Sequence, residues 1–449
     1  MPVFFVILLL LLNISPVCGI DLPVSKISDD SLIRLKIKDS WMTETPSRVL
    51  SRYAIKETLE SGERVEIRTT EGREEFMVHI SRELTRGTGA TNRIGTGQFP
   101  GWIQGSWMLT RRKDTGAGTQ IKIFLRSDQQ TFIQFHPFNQ DKCLMDAVVY
   151  GGFIAYSIPV AVPFERLYTM PLNDILRLVE KKFPIRYFEP DISNYKDTIT
   201  FIMRVRSRLT GLRFVDDGAI NENGKFVFIE TLQPQPSSLQ GFNCSGFTKW
   251  LIDGILRPVT GARLSIPPLK APFGERGSSF TAKWEKEKDV FFGLDWIRNL
   301  AAEANGTLRT PSYRSLEEFE IRRENFAYVL ANENRSFVTH SYPGFLPEAG
   351  YGIEGLHPLL YTLAIDEPFC FYLAAVNTEI GTPSSPQGTP RLRQYFHVAA
   401  LIPYFDESGF FRIVVFESAA ETSFITFRNH YPRHHVNLVK IPISPTFDP

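Results

Sequence analysis

Residues 241–254 constrain the fold of this chain more than any other stretch, because a polar cluster holding one cysteine opens straight into an amphipathic run. Phe247, Trp250, Leu251 and Ile255 follow the i, i+3, i+4, i+8 spacing of a helix that buries one face. Asn243 and Ser245 are residue types that cap helix starts, which places Cys244 at or within one residue of the helix N-terminus. Unpaired amide N–H groups and the positive end of the helix dipole favour an anion there, so a thiol so placed ionises readily. Upstream, Pro234, Pro236, Ser237, Ser238 and Gly241 read as a loop that leaves the sulfur accessible. A helix-start cysteine at a loop edge suits a thiolate nucleophile. Against that stands the small, inert cysteine common in apolar cores.

The N-terminus speaks to compartment. Residues 3–12 form an apolar run too short to span a bilayer, followed by Asn13, Ser15, Pro16, Val17, Cys18 and Gly19. Residues 1–19 read as a secretory signal peptide cleaved before Ile20, although no Lys or Arg precedes the apolar run. The alternative is a lipoprotein signal ending at Cys18, a pattern that Ser15 and Val17 fit poorly. The expected location is periplasmic or extracellular, without a membrane span. Removal of the signal leaves Cys143, Cys244 and Cys370, an odd count that flags at least one free thiol. Cys143 and Cys370 lie in apolar, strand-like sequence and either pair or stay buried. The balance of 50 basic against 49 acidic residues gives no field to gather nucleic acid or anionic membrane.

The expected class is α+β, with β-rich N-terminal segments ahead of a larger C-terminal domain. Residues 20–85 read as a β-rich module. In it Ile33, Leu35 and Ile37 alternate with Arg34, Lys36 and Lys38, and a hairpin runs from Val65 and Ile67 to Phe76, Val78 and Ile80. The Gly- and Thr-rich residues 86–101 read as a linker. Residues 102–225 are mixed: a second hairpin over 107–125 turning at 114–118, then helices over 172–183 and 195–212. A strand over 225–232 leads into the cysteine loop. The C-terminal domain spans 226–449, with a large insertion at about 265–390 that holds an apolar segment at 291–300 and a charged helix near 316–330. Asn305 and Asn334 head glycosylation sequons, and Asn243 formally heads a third.

The second half of the candidate site lies near the C-terminus. Residues 395–402 and 410–418 are apolar runs around a turn through Asp406, Glu407, Ser408 and Gly409, an antiparallel hairpin. A turn centred on Glu407 sets His397 opposite Glu417; a centre on Ser408 moves Glu417 one diagonal step away on the same face. A centre between the two flips the register and brings Ser418 beside His397. With Cys244, these residues form a nucleophile, a base and an orienter. His397 takes the thiol proton, Glu417 fixes the ring, and the Cys244 N–H is a natural oxyanion donor.

Phe242-Asn243-Cys244-Ser245-Gly246-Phe247 resembles the Asp-Cys-Ser-Gly signature of NlpC-type cell-wall peptidases, and residues 397–401 and 416–419 resemble that family's histidine strand and the strand after it. The resemblance covers two short patches in the last half of the chain. It implies a papain-like C-terminal domain, a cysteine-bearing helix packed on an antiparallel sheet, and hydrolysis of amide bonds in cell-wall peptides. On it, Cys244, His397 and Glu417 are the catalytic residues and Asn243 and Ser245 contact substrate. The sequence departs from the family in having Asn243 for aspartate and Glu417 where His, Asn or Gln is usual. It also lacks a Pro-Gly-Asp segment, and 153 positions separate Cys244 from His397. A transglutaminase-like acyl transferase is the alternative within enzymes, and a non-catalytic envelope-binding protein of the same fold the alternative outside them. No cofactor is expected. Pro432 breaks the helix that a metal pair among His430, His434 and His435 would need. Asp216 and Asp217, ahead of Gly218, read as a turn.

Overall fold

The computed structural model describes residues 27, 29, 31–86, 94–95, 97–274, 289–329, 342–347, 349–380 and 392–449. The expected signal peptide with Cys18, the sequon at Asn334 and the Pro-rich loop at 383–390 lie outside the described residues. The chain divides into two compact units, Met1–Ala147 with Ala155–Phe183, and Val148–Ile154 with Pro184–Pro449. The helix Leu172–Val179 belongs to the first and the helix Lys196–Leu209 to the second.

In the first unit, the strands Ile55–Thr58, Arg64–Glu71, Glu75–Arg82, Trp107–Arg112, Gly118–Phe124 and Phe132–Pro137 pair antiparallel in that spatial order. Val65, Ile67, Val78, Ile80, Leu109, Ile121 and Ile123 are buried, so the period-2 pattern of both hairpins survives into the fold. The alternation at residues 33–38 does not. Residues Ser31–Ile37 form a helix, continued by a wider turn over Lys38–Met42. The buried positions are Arg34, Ile37, Trp41 and Met42, a helical spacing hidden because one of them is an arginine. Arg34 lies 3.5 Å over the Trp107 ring, pairs with Asp29 at 2.8 Å and donates to the Tyr168 and Met170 carbonyls. A buried charge is tolerable when so fully partnered. Across the start of the expected linker, Thr85–Arg86 pairs with Ile94–Gly95.

The second unit is built on seven antiparallel strands. Their spatial order is Phe345–Leu346, Gly350–Gly352, His435–Pro442, Cys370–Ile380, Leu392–Phe405, Phe411–Glu417 and Ala420–Ser423. Both faces are apolar. Phe371, Leu373, Ala375, Val398, Ala400, Val439 and Ile441 share one core with the helices Cys244–Thr260 and Phe292–Leu308. Tyr372, Ala374, Val376, Ala399, Leu401 and Leu438 share the other with the helix Leu356–Asp366 and Phe427. Near-continuous burial in Cys370–Ile380 reflects this two-sided covering. The segment expected as an insertion therefore supplies a central strand and two core helices. The charged helix near 316–330 shrinks to one turn, Leu316–Phe319, because Glu320 bridges to Val439 and its carboxylate takes Arg298 and Arg322. Asn305 is fully buried inside Phe292–Leu308 and donates to the Ala301 and Lys440 carbonyls, which makes it a structural amide and not a glycan acceptor.

Candidate functional site

Cys244 is the first residue of the helix Cys244–Thr260. Asn243 is its N-cap, with extended backbone and its side-chain oxygen accepting the Gly246 N–H at 2.8 Å. Such a cap is worth about 1 kcal/mol. The helix start is pressed against the strand Gly218–Ile220: a Cβ on Gly246 would lie 1.9 Å from the Gly218 carbonyl oxygen. The Asn243 N–H donates to that same oxygen at 3.0 Å. Ser245 is buried, and its carbonyl accepts from the Trp296 indole N–H at 2.9 Å. Asn243 and Ser245, expected to touch substrate, both build the helix start.

Gln235 was invisible in the sequence, lying in a Pro-rich loop. Its buried amide accepts the Gly241 N–H and donates to the Val227 and Gly241 carbonyls, pinning the chain just before the cysteine. The Cys244 N–H meets no acceptor among the described residues, as expected of the first turn of a helix.

His397 lies on the strand Leu392–Phe405, one residue after a bulge. Val376 pairs with His397 and Asn377 with Tyr395, so Phe396 has no partner on Cys370–Ile380. The neighbouring hairpin runs from Phe405↔Phe411 to Ala400↔Phe416, a register centred on Ser408. Glu417 is therefore diagonal to His397 on the same face, and its Oε2 lies 2.7 Å from His397 Nε2. The register that would have brought in Ser418 is absent. With Nε2 held by Glu417, the ring lies close enough to the Cys244 thiol for each to shift the other's ionisation.

The electrostatics follow from these contacts. Burial pushes the Cys244 thiol up, but His397 beside it, the Val398 amide and the Ser245 hydroxyl outweigh burial and hold it below its usual value. Burial likewise disfavours the His397 imidazolium. The neighbouring Cys244 and the hydrogen bond to Glu417, with the charges the two carry, reverse that and push it up to about 9. Both shifts favour the thiolate–imidazolium form of the pair. Cys143 and Cys370 are also free thiols, but burial pushes them up to about 12 and about 11.

Tyr431 completes the site, and no sequence signal marks it. It follows the short helix Phe424–His430, and its ring stacks on His397 with centroids 5.0 Å apart and 25° between planes. Burial and the nearby Glu417 and Cys244 charges push its hydroxyl well up, so it stays a neutral donor. His434 and His435 point apart in function: His434 Nδ1 donates to the Pro432 carbonyl and His435 Nδ1 lies 3.2 Å from Arg393. Among the described residues, no helix is long and apolar enough to cross a membrane.

Comparison with known proteins reaches only the other end of the chain. Residues 23–187 match a family described as a domain of unknown function (DUF8515), a stretch that holds none of these site residues. No curated protein and no solved structure matches.

Proposed function

We propose that this chain is an exported thiol-dependent hydrolase of amide bonds, whose second unit carries a papain-like site. Cell-wall peptides are the substrate class that the NlpC-type resemblance implies. One observation carries the reading: the Cys244 thiol and the His397 ring, far apart in sequence, lie together in the fold and shift each other's ionisation, and the Glu417 carboxylate lies 2.7 Å from His397 Nε2. Nucleophile, base and orienter in one line are what acyl transfer by a thiol requires.

The Cys244 thiolate attacks the carbonyl carbon, forming the S–C bond while the carbonyl electrons move to oxygen. That oxyanion meets the Cys244 N–H at the positive end of the helix. The His397 imidazolium gives its proton to the leaving amine as the C–N bond breaks, leaving a thioester. The now neutral ring takes a proton from water, which attacks the thioester, and the acid leaves with the thiol restored. Glu417 holds the ring angle and stabilises the imidazolium throughout.

The test is hydrolysis of purified cell-wall peptides by the protein and three variants. Cys244→Ala falls to background, and His397→Ala falls nearly as far because the two act as a unit. Glu417→Ala falls less. Hydrolysis that survives Cys244→Ala refutes the proposal.

A further inference from the structure

Resting on the thiol-hydrolase reading, we propose that Phe396, Tyr431 and His434 form an aromatic shelf that binds an apolar, preferably aromatic, group flanking the scissile amide. The shelf starts at the base itself. From His397 the rings run outward: Tyr431 at 5.0 Å from His397, Phe396 at 6.0 Å from Tyr431, and His434 at 5.4 Å from Phe396. Tyr431 and His434 also touch each other, with centroids 6.1 Å apart and planes at 82°. These spacings are those of mutually packed aromatic rings.

The backbone presents this surface on purpose-built geometry. Phe396 is the extra residue of the bulge, and bulges re-aim a side chain next to a site. Without the bulge, strict alternation would send residue 396 to the face opposite His397. With it, the phenyl ring stays 40% exposed directly beside the base. Phe427 backs Tyr431 from below, edge to face at 5.2 Å, and is itself fully buried, so the shelf rests on the core. The Nδ1–H of His434 is tied to the Pro432 carbonyl, which fixes that ring as well. None of the three shelf residues carries a carboxylate or a guanidinium. A flat apolar group gains stacking area there, whereas a charged side chain finds no counter-ion among them.

The experiment compares alkylation of Cys244 by iodoacetamide and by N-benzyl iodoacetamide. In both, the thiolate sulfur displaces iodide from the same CH2 carbon, and only the benzyl reagent reaches the shelf. In the native protein the benzyl reagent reacts up to about tenfold faster, the gain that one aromatic contact supplies. Phe396→Ser brings the ratio of the two rates close to one, Phe396→Tyr keeps it, and His434→Ser lowers it in part. Thermal melts show that each variant is folded. A native ratio near one overturns the shelf, as does a ratio that survives both serine variants. If instead Cys244 reacts no faster than Cys143 and Cys370 with either reagent, the thiolate reading itself fails and the shelf goes with it.

Discussion

Glu417→Gln separates the charge of the orienter from its shape. Gln keeps an oxygen to accept the His397 Nε2–H, so the 2.7 Å contact and the ring angle can both persist. What disappears is a negative charge beside a ring whose folded value is about 9. Two unit charges about 4 Å apart interact by roughly 4 kcal/mol at an effective dielectric of about 20. Both side chains are only 11% exposed, so screening removes part of this and not all. A loss of one to three pKa units is the ordinary size of such an effect. The His397 step therefore falls from about 9 into the range of about 6–8. The Cys244 step rises, because a less basic ring holds the thiolate less well, and the pH window of the ion pair narrows from both sides. Ultraviolet absorbance of the thiolate reads the Cys244 step, and nitrogen NMR of the imidazole reads the His397 step. The two values belong to the pair as a whole and are to be compared between proteins as such. Unmoved steps in Glu417→Gln would refute the electrostatic role assigned to this residue.

Two further outcomes follow from the same geometry. Alkylation at pH 6–7 labels Cys244 well before Cys143 and Cys370, whose thiols are pushed up to about 12 and about 11, and peptide mass spectrometry gives the order. Gly246→Ala forces a Cβ to within 1.9 Å of the Gly218 oxygen, and denaturant unfolding registers a loss of about 1–3 kcal/mol. An unchanged midpoint would mean that the helix start is not pressed on that strand.

Much of this was legible because the signals were local. The cap at Asn243 and the run through Phe247, Trp250 and Leu251 fix a helix start without reference to anything distant. The hairpin carried its own register to within one residue, since only a centre near Glu407 or Ser408 closes the turn. The parts that stayed hidden depend on tertiary partners. Nothing in residues 31–37 says that Arg34 is buried, because beyond Asp29 its partners are Trp107, Tyr168 and Met170, all more than seventy positions away. The bulge at Phe396 depends on how Cys370–Ile380 pairs, and the place of Tyr431 depends on where a seven-residue helix docks. Asn305 shows the reverse error. Its sequon is a pattern of three residues, while its fate is set by burial under a strand more than a hundred positions on.

The thiol's partner on the sheet comes from a ladder that stops early. Continued two residues beyond Ala400↔Phe416, the hairpin register would place Ser418 opposite Val398. Ser418 and Ala419 instead take left-handed backbone angles, φ 48° and 68°, and the chain turns into Ala420–Ser423. Left-handed geometry in a residue with a side chain costs roughly 1–2 kcal/mol, and it persists only where the surroundings enforce it. The Val398 amide, opposite this turn, is among the groups that hold the Cys244 thiol down. The same turn ends the strand at Glu417, within reach of His397. Strain at two residues thus accompanies both a donor for the thiolate and a carboxylate for the base. This is also why base and orienter lie twenty positions apart while the nucleophile comes from another layer of the fold. The hairpin makes the base, its acid and the Val398 amide as one piece, and the capped helix has only to bring the sulfur to it.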